Sequence, residues 1–256
     1  MKKILLTGAS RGIGAAICRK LASSGAEIAA CASRHPEELE AVLEGLGVGG
    51  RLYALTGDLS APETPARLVS EAAELMGGID AVISNAGISI PNQLKELDLD
   101  SWDKVFNVNV RAPWLLAASA HPWLKKSGGS FVAISSMSGI QPYTKMGAYS
   151  PSKAALIMLV RQLAQEWVED GIRVNCVSPG LIRTPLSQAV YDIPEVKAAR
   201  EELVPMHRIG DADVDIAGIV EFLISEKASY ITGQNMLADG GLLDSIQSHI
   251  KGRPSS

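Results

Sequence analysis

Short runs of β-branched and apolar residues alternate along this chain with longer segments of helical period, and that alternation leaves few folds open. The strand-like runs are Lys3–Leu6, Glu27–Cys31, Arg51–Leu55, Ala81–Ser84, Ser130–Ile134, Arg173–Val177 and Asn235–Ala238. Helices are predicted between them near Gly12–Ser23, Pro36–Leu46, Pro62–Leu75, Ser101–Ala120, Ala148–Val168 and Val214–Ser225. Strand, helix, strand in repetition is the βαβ unit. The expected fold is therefore α/β, a Rossmann-type doubly wound parallel sheet of seven strands with helices on both faces. No proline-rich or charged linker divides the 256 residues, so one domain is expected over residues 1–243, with a tail over 244–256. The stretch 184–208 breaks the alternation and is expected to be a substrate lid.

Charge and cysteine usage narrow the class of partner. The formal net charge is −4 and the Lys and Arg residues are dispersed, so there is no electrostatic footprint for a nucleic-acid backbone or an anionic membrane. The three cysteines, Cys18, Cys31 and Cys176, lie far apart in apolar surroundings, as reduced core thiols of a cytoplasmic protein do. With no CxxC and no His pair at ligand spacing, a metal is not expected. Met1 to Leu6 begins like a signal peptide, but the apolar run stops at Thr7-Gly8; neither export nor a membrane span is expected. Small molecules and further copies of the chain remain as partners.

The first strand runs into Thr7-Gly8-Ala9-Ser10-Arg11-Gly12-Ile13-Gly14 and then into a helix. Residues without Cβ atoms at a strand-to-helix turn let a pyrophosphate approach the backbone and lie on the helix N-terminus, where unpaired N–H groups favour negative charge. The alternative use of such a turn is close packing of the helix on the sheet. An NAD site places a carboxylate at the end of the second strand, about 20 residues on. Here that end reads Cys31-Ala32-Ser33-Arg34, and Arg11 and Arg34 are placed to meet a 2′-phosphate with planar, bidentate donors. NADP(H) is favoured, and NAD(H) stays open.

Tyr149-Ser150-Pro151-Ser152-Lys153 opens a strongly helical segment, and a spacing of four puts the Tyr and Lys side chains on one face. A phenol ordinarily titrates near pH ~10, and an ammonium one turn away is expected to favour the phenolate. This pair comes thirteen residues after Ser136, which follows the strand ending at Ile134. Ligands of open α/β sheets bind outside the carboxyl ends of the strands, where Ser136 can hold a substrate oxygen toward Tyr149.

Taken together these residues resemble the short-chain dehydrogenase/reductase family over nearly the whole chain. The TGxxxGxG motif of that family matches Thr7 to Gly14, its NAG motif matches Asn85-Ala86-Gly87, and its Asn, Ser, Tyr and Lys match Asn109, Ser136, Tyr149 and Lys153. The resemblance implies that Asp58 contacts adenine with Leu59 beside it, that Pro179, Gly180, Ile182 and Thr184 lie at the nicotinamide, and that Ile231 to Gln234 and Asp239-Gly240-Gly241 close the domain. It implies hydride transfer at the nicotinamide with Tyr149 exchanging the hydroxyl proton, Ser136 steadying the oxygen, Lys153 binding the nicotinamide ribose and tuning Tyr149, and Asn109 holding a water. It also implies a dimer or tetramer. The apolar run Ala154 to Val160 in the helix after Tyr149 agrees, because a helix covering one sheet needs only one apolar stripe.

The TGASRGIG loop is similar to that of bacterial 3-oxoacyl-[acyl-carrier-protein] reductases, whose cofactor is NADPH. Those reductases carry basic residues for the acidic carrier at positions matching Ser127 and Asp170 here, so a free ketone or secondary alcohol ranks above a carrier-bound acyl chain; Lys125 and Lys126 partly compensate. Pocket walls are expected from Gln141, Tyr143 and Met146 and, in the lid, from Leu186, Val190 and Tyr191. An NAD-preferring alcohol, sugar or diol dehydrogenase and a cofactor sensor without turnover are the alternatives, the latter disfavoured by the intact Asn109, Ser136, Tyr149 and Lys153.

Overall fold

A computed structural model of the protein describes residues 1–33, 36–46, 51–185 and 187–245. The strands are β1 (Lys3–Thr7), β2 (Glu27–Ala32), β3 (Leu52–Thr56), β4 (Ala81–Ser84), β5 (Ser130–Ile134), β6 (Arg173–Pro179), the two-residue β7 (Ile182–Arg183) and β8 (Gly210–Asp211), and β9 (Asn235–Ala238). Seven of them form one parallel sheet in the order β3-β2-β1-β4-β5-β6-β9, while β7 and β8 pair separately. The order reverses between β1 and β4, and a crevice outside their carboxyl ends follows from that reversal.

The helices are α1 (Gly12–Ser23), α2 (Pro36–Glu44), α3 (Thr64–Met76), α4 (Leu99–Phe106), α5 (Ala112–Ser127), α6 (Tyr149–Trp167), α7 (Gln188–Tyr191), α8 (Pro194–Leu203) and α9 (Ala217–Ile224). Side chains alternate across a strand, so each strand feeds two cores. Leu5, Val82, Phe131 and Val174 pack under α3, α5 and α6, whereas Ile4, Leu6, Ile83 and Val132 pack under α1, α2 and α9. Burial on both faces explains why β1, β2 and β4 read as continuous apolar runs.

One expectation needs correction. The single helix expected over Ser101–Ala120 is two helices, α4 and α5, joined by a π-helical turn over Asn107–Arg111, and α5 continues to Ser127. The expected lid is ordered by α7 and α8, and its two ends are tied together by the β7–β8 pair and by Gly210 N–H donating to Leu181 O at 2.9 Å. Helix α6 buries one face, with Leu156, Ile157, Val160, Leu163 and Ala164 inside, and leaves the apolar Met158 59% exposed on another. Arg34, Leu186 and residues 246–256, most of the expected tail, lie outside the described residues. Cys18, Cys31 and Cys176 are buried and unpaired. Among the described residues no helix is long and apolar enough to cross a membrane, and no group of three metal-ligating side chains is present.

Candidate active site

The glycine turn is built by steric demand. Gly8 (φ +67°) and Gly12 (φ +56°) occupy the left-handed region, which side chains avoid. A Cβ on Gly8 would come within 2.9 Å of Ala86 Cα, and one on Gly14 within 1.9 Å of Gly8 O, so α1 starts as close to the turn as backbone allows. Close packing, one of the two uses of such a turn, is realised here. Arg11 extends the chain ahead of α1 with its side chain exposed, and Ser10 and Ile13 are half-buried beside it. A Cβ on Gly12 would meet Thr184 Cβ, at the base of the lid, at 3.4 Å.

The ends of β1 and β4 are laced together. Thr7 Oγ1 accepts from Asn85 N and Ala86 N at 3.1 and 3.2 Å, and Asn85 Nδ2 donates to Thr7 O and Gly8 O at 3.1 and 2.9 Å. Pro179 ends β6 next to β9, and a Cβ on Gly180 would come within 2.5 Å of Asp239 Cα. Ile182 is buried in the core. Asp58 and Leu59 follow β3; Asp58 is exposed, with its carboxylate accepting from Ser60 N at 2.9 Å, and Leu59 is buried. Ser33, past the end of β2, is exposed.

Ser136, Tyr149, Lys153 and Asn109 converge. The Ser136 hydroxyl hydrogen-bonds the Tyr149 phenol, while Ser136 Oγ accepts from Ser138 N at 3.1 Å. Lys153 is buried; its Nζ lies 5.7 Å from the Tyr149 ring centroid and donates to Ile134 O at 2.8 Å. Asn109, fully buried in the π-helical turn, accepts from Ile88 N and donates to Ile88 O, both at 2.9 Å. Gly87 fits between them, since a Cβ there would meet Lys153 Nζ at 3.2 Å and Asn109 Oδ1 at 3.3 Å.

The electrostatics differ from the sequence expectation. Burial pushes the Tyr149 phenol up, and the hydrogen bond from Ser136 is what opposes it. Burial also pulls the Lys153 ammonium down to about 8, with Cys176 opposing. The Lys153 ammonium, whose charge the dry surroundings disfavour, is directed at Ile134 O.

Sequence reasoning missed two contributors. Gly139 lets the turn after Ser136 press on α6, where a Cβ would lie 2.7 Å from the Lys153 carbonyl carbon. Ser152 joins Asn109 to the Tyr149 backbone, accepting from Asn109 Nδ2 at 3.0 Å and donating to Tyr149 O at 2.7 Å. Both contacts are tertiary and leave no local signal. Of the expected wall residues, Gln141 and Tyr143 are exposed and Met146 half-buried just ahead of Tyr149. Val190 is half-buried in the lid, whereas Tyr191 is buried, with the Arg200 guanidinium of α8 5.5 Å from its ring centroid.

Known proteins resemble this chain in sequence and fold. A family profile described as enoyl-(acyl carrier protein) reductase matches residues 8–243. Dehydrogenase/reductase SDR family member 4 of Bos taurus is 38% identical over 247 residues, covering 96% of this chain and 88% of its own. Glucose 1-dehydrogenase of Gluconobacter oxydans (strain 621H) is 39% identical over 245 residues, covering 94% and 91%. A short chain dehydrogenase from Burkholderia cenocepacia J2315, solved in complex with NADP, superposes with a TM-score of 0.88 at 35% identity, covering 94% of this chain and 98% of that one. With the family profile spanning the domain and the fold and sequence both matching, the chain belongs to the short-chain dehydrogenase/reductase family of NAD(P)-using oxidoreductases that act on alcohols and ketones.

Proposed function

We propose that the protein is an NADP(H)-dependent oxidoreductase that interconverts a small-molecule ketone and its secondary alcohol, with Tyr149 as general acid and base. The observation that carries this reading is the Tyr149 phenol held by Ser136, with Lys153 Nζ 5.7 Å from its ring centroid, at the carboxyl end of the sheet, which also bears the glycine turn. That turn fits a dinucleotide: its backbone lacks Cβ atoms where the chain is left-handed, and it opens onto the N-terminus of α1. Gly8, Ser10, Gly12, Ile13 and Gly14 would hold the pyrophosphate. Arg11, Ser33 and Arg34 would meet the 2′-phosphate, and Asp58 and Leu59 the adenine. Asn85, Ala86, Gly87, Pro179, Gly180, Ile182 and Thr184 would line the nicotinamide half. When bound, the nicotinamide supplies or accepts the hydride.

The chain's own groups handle the proton. Tyr149 Oη gives its proton to the carbonyl oxygen in reduction and takes it back in oxidation. Ser136 Oγ already accepts from Ser138 N, so its own proton is free to point at Tyr149 and the substrate oxygen. Lys153, with an ammonium that titrates near 8, resupplies Tyr149, and Asn109 Oδ1 and the space beside Gly87 give a water a place between Lys153 and the exterior. Gln141, Tyr143 and Met146 would form the near wall, and Val190 the far one; Tyr191 would act from within the lid packing. The lid sheds water from the reacting centre, and the exposed Ile193, Leu203 and Met206 support that use.

NADP(H) is favoured by the missing carboxylate after β2 and by the NADP bound to the B. cenocepacia relative. A free substrate is favoured over a carrier-bound one because Lys125 Nζ is spent on Asp170, 2.6 Å away, with His121 on the same carboxylate at 2.8 Å. A dimer or tetramer is supported by an open groove of about 410 Å³ lined by Phe106, Val110, Trp114 and Leu159, apolar side chains from α4 to α6. Buried unpaired cysteines support a cytoplasmic location.

Parallel titration with NADPH and NADH, followed by the absorbance of reduced nicotinamide against ketones, sugars and 3-oxoacyl thioesters, tests the reading. Tighter NADPH binding with oxidation by a free ketone or sugar is expected. Binding without turnover of any panel member would overturn it, and fastest turnover of a carrier-bound thioester would move the substrate assignment to acyl chains.

A further inference from the structure

We infer that Ser152 is a positioning residue of this enzyme: its hydroxyl fixes the Asn109 amide, and through it the gap that Asn109 shares with Lys153. The inference rests on the reading above, in which Asn109 and Lys153 serve the proton path.

The geometry is a closed account of hydrogen bonds. A carboxamide has two N–H donors and one carbonyl acceptor. Asn109 Oδ1 accepts from Ile88 N, and Nδ2 gives one proton to Ile88 O. Its second proton goes to Ser152 Oγ at 3.0 Å. The Ser152 hydroxyl spends its own proton on Tyr149 O at 2.7 Å, so its oxygen is turned toward Asn109 as an acceptor. Ser152 and Asn109 are both fully buried, which leaves no solvent to replace either partner. The two bonds to Ile88 act like a hinge along one edge of the amide, and the bond to Ser152 stops rotation about it. With rotation stopped, Oδ1 stays on the side of Gly87 where Lys153 Nζ is the other neighbour. The bond also joins the π-helical turn that carries Asn109 to α6, which carries Tyr149 and Lys153.

Ser152→Ala removes the acceptor and adds no bulk, and alanine suits a helix. The buried second proton of Nδ2 is then unpaired, and the amide loses its stop. Turnover is measured with NADPH and the panel carbonyl that the wild-type enzyme reduces fastest. The variant is expected to keep its NADPH Kd and KM within about twofold while kcat falls about tenfold. If Ser152 acts through Asn109, the losses are not additive: Asn109→Ala and the double variant Asn109→Ala/Ser152→Ala have the same kcat within about twofold. A second readout needs neither cofactor nor turnover. In 15N-asparagine-labelled protein, the side-chain NH2 signal of Asn109, identified by its disappearance in Asn109→Ala, is expected to exchange with solvent about tenfold faster in Ser152→Ala.

Unchanged kcat and exchange in Ser152→Ala, or losses that add in the double variant, would overturn the inference while leaving Tyr149 in its role. Full turnover by Tyr149→Phe would instead overturn the reading on which it rests.

Discussion

Lys153 reaches from α6 to donate its ammonium to Ile134 O, the last carbonyl of β5, at 2.8 Å, and it does so from a buried position. One hydrogen bond does not replace a hydration shell, and burial pulls the group from its ordinary 10.5 down to about 8. Between those values the unfolded chain holds the proton and the folded chain does not, so stability rises with pH across this window. The cost of burying the charge is fully present below about 8 and is gone above 10.5. Lys153→Met should therefore melt a few degrees higher than the wild type at neutral pH, with the gain shrinking as pH rises through that window. Scanning calorimetry of the cofactor-free protein across pH checks this; a lower melting temperature at neutral pH would show that the bond to Ile134 outweighs burial.

Gly14 and Gly218 make a matched pair. A methyl on Gly14 would sit 1.9 Å from Gly8 O, whereas one on Gly218, in α9, would meet nothing within 4 Å. Gly14→Ala should cost several kcal/mol, of the order of ~3, by driving α1 off the turn, and should weaken NADPH binding with it. Gly218→Ala should stabilise by up to ~1 kcal/mol through helix propensity alone. Urea unfolding of both variants reads the contrast, and similar midpoints would mean that α1 does not need its close approach.

The strands were legible because their apolar runs are bounded by polar or glycine residues; β4, β5 and β9 match the sequence reading residue for residue. Asn109, Ser136, Tyr149 and Lys153 were legible from motif order. The π-helical turn was not. An extra residue in a helical turn leaves the amphipathic pattern of α4 and α5 nearly continuous, so the sequence reads as one helix. Helix α8 did carry a signal, Pro194 in its first turn followed by Glu195, but its exposed, polar surface gave no apolar stripe to confirm it. The phenol's electrostatics were misjudged because spacing shows that Lys153 is near Tyr149 and not that both are dry. Ser152 and Gly139 were invisible for a different reason: each matters only through a contact with a distant segment.

In the function proposed above, cofactor choice depends on the guanidinium groups of Arg11 and Arg34. Arg11→Ala and Arg34→Ala should each weaken NADPH about tenfold or more and leave NADH within about twofold, because only the former carries a 2′-phosphate. Fluorescence titration with both nucleotides measures the ratio. Equal losses for the two would assign the arginines to the pyrophosphate or to neither.

The central claim is that Tyr149 moves the proton and does not hold the cofactor. Tyr149→Phe removes one oxygen from a position held by Ser136 and leaves the ring beside Lys153. The direct test is to measure NADPH affinity by fluorescence and turnover by absorbance on the same preparation of this variant. The account predicts NADPH affinity within about twofold of wild type and kcat lower by at least ~100-fold; turnover within about tenfold of wild type would contradict it.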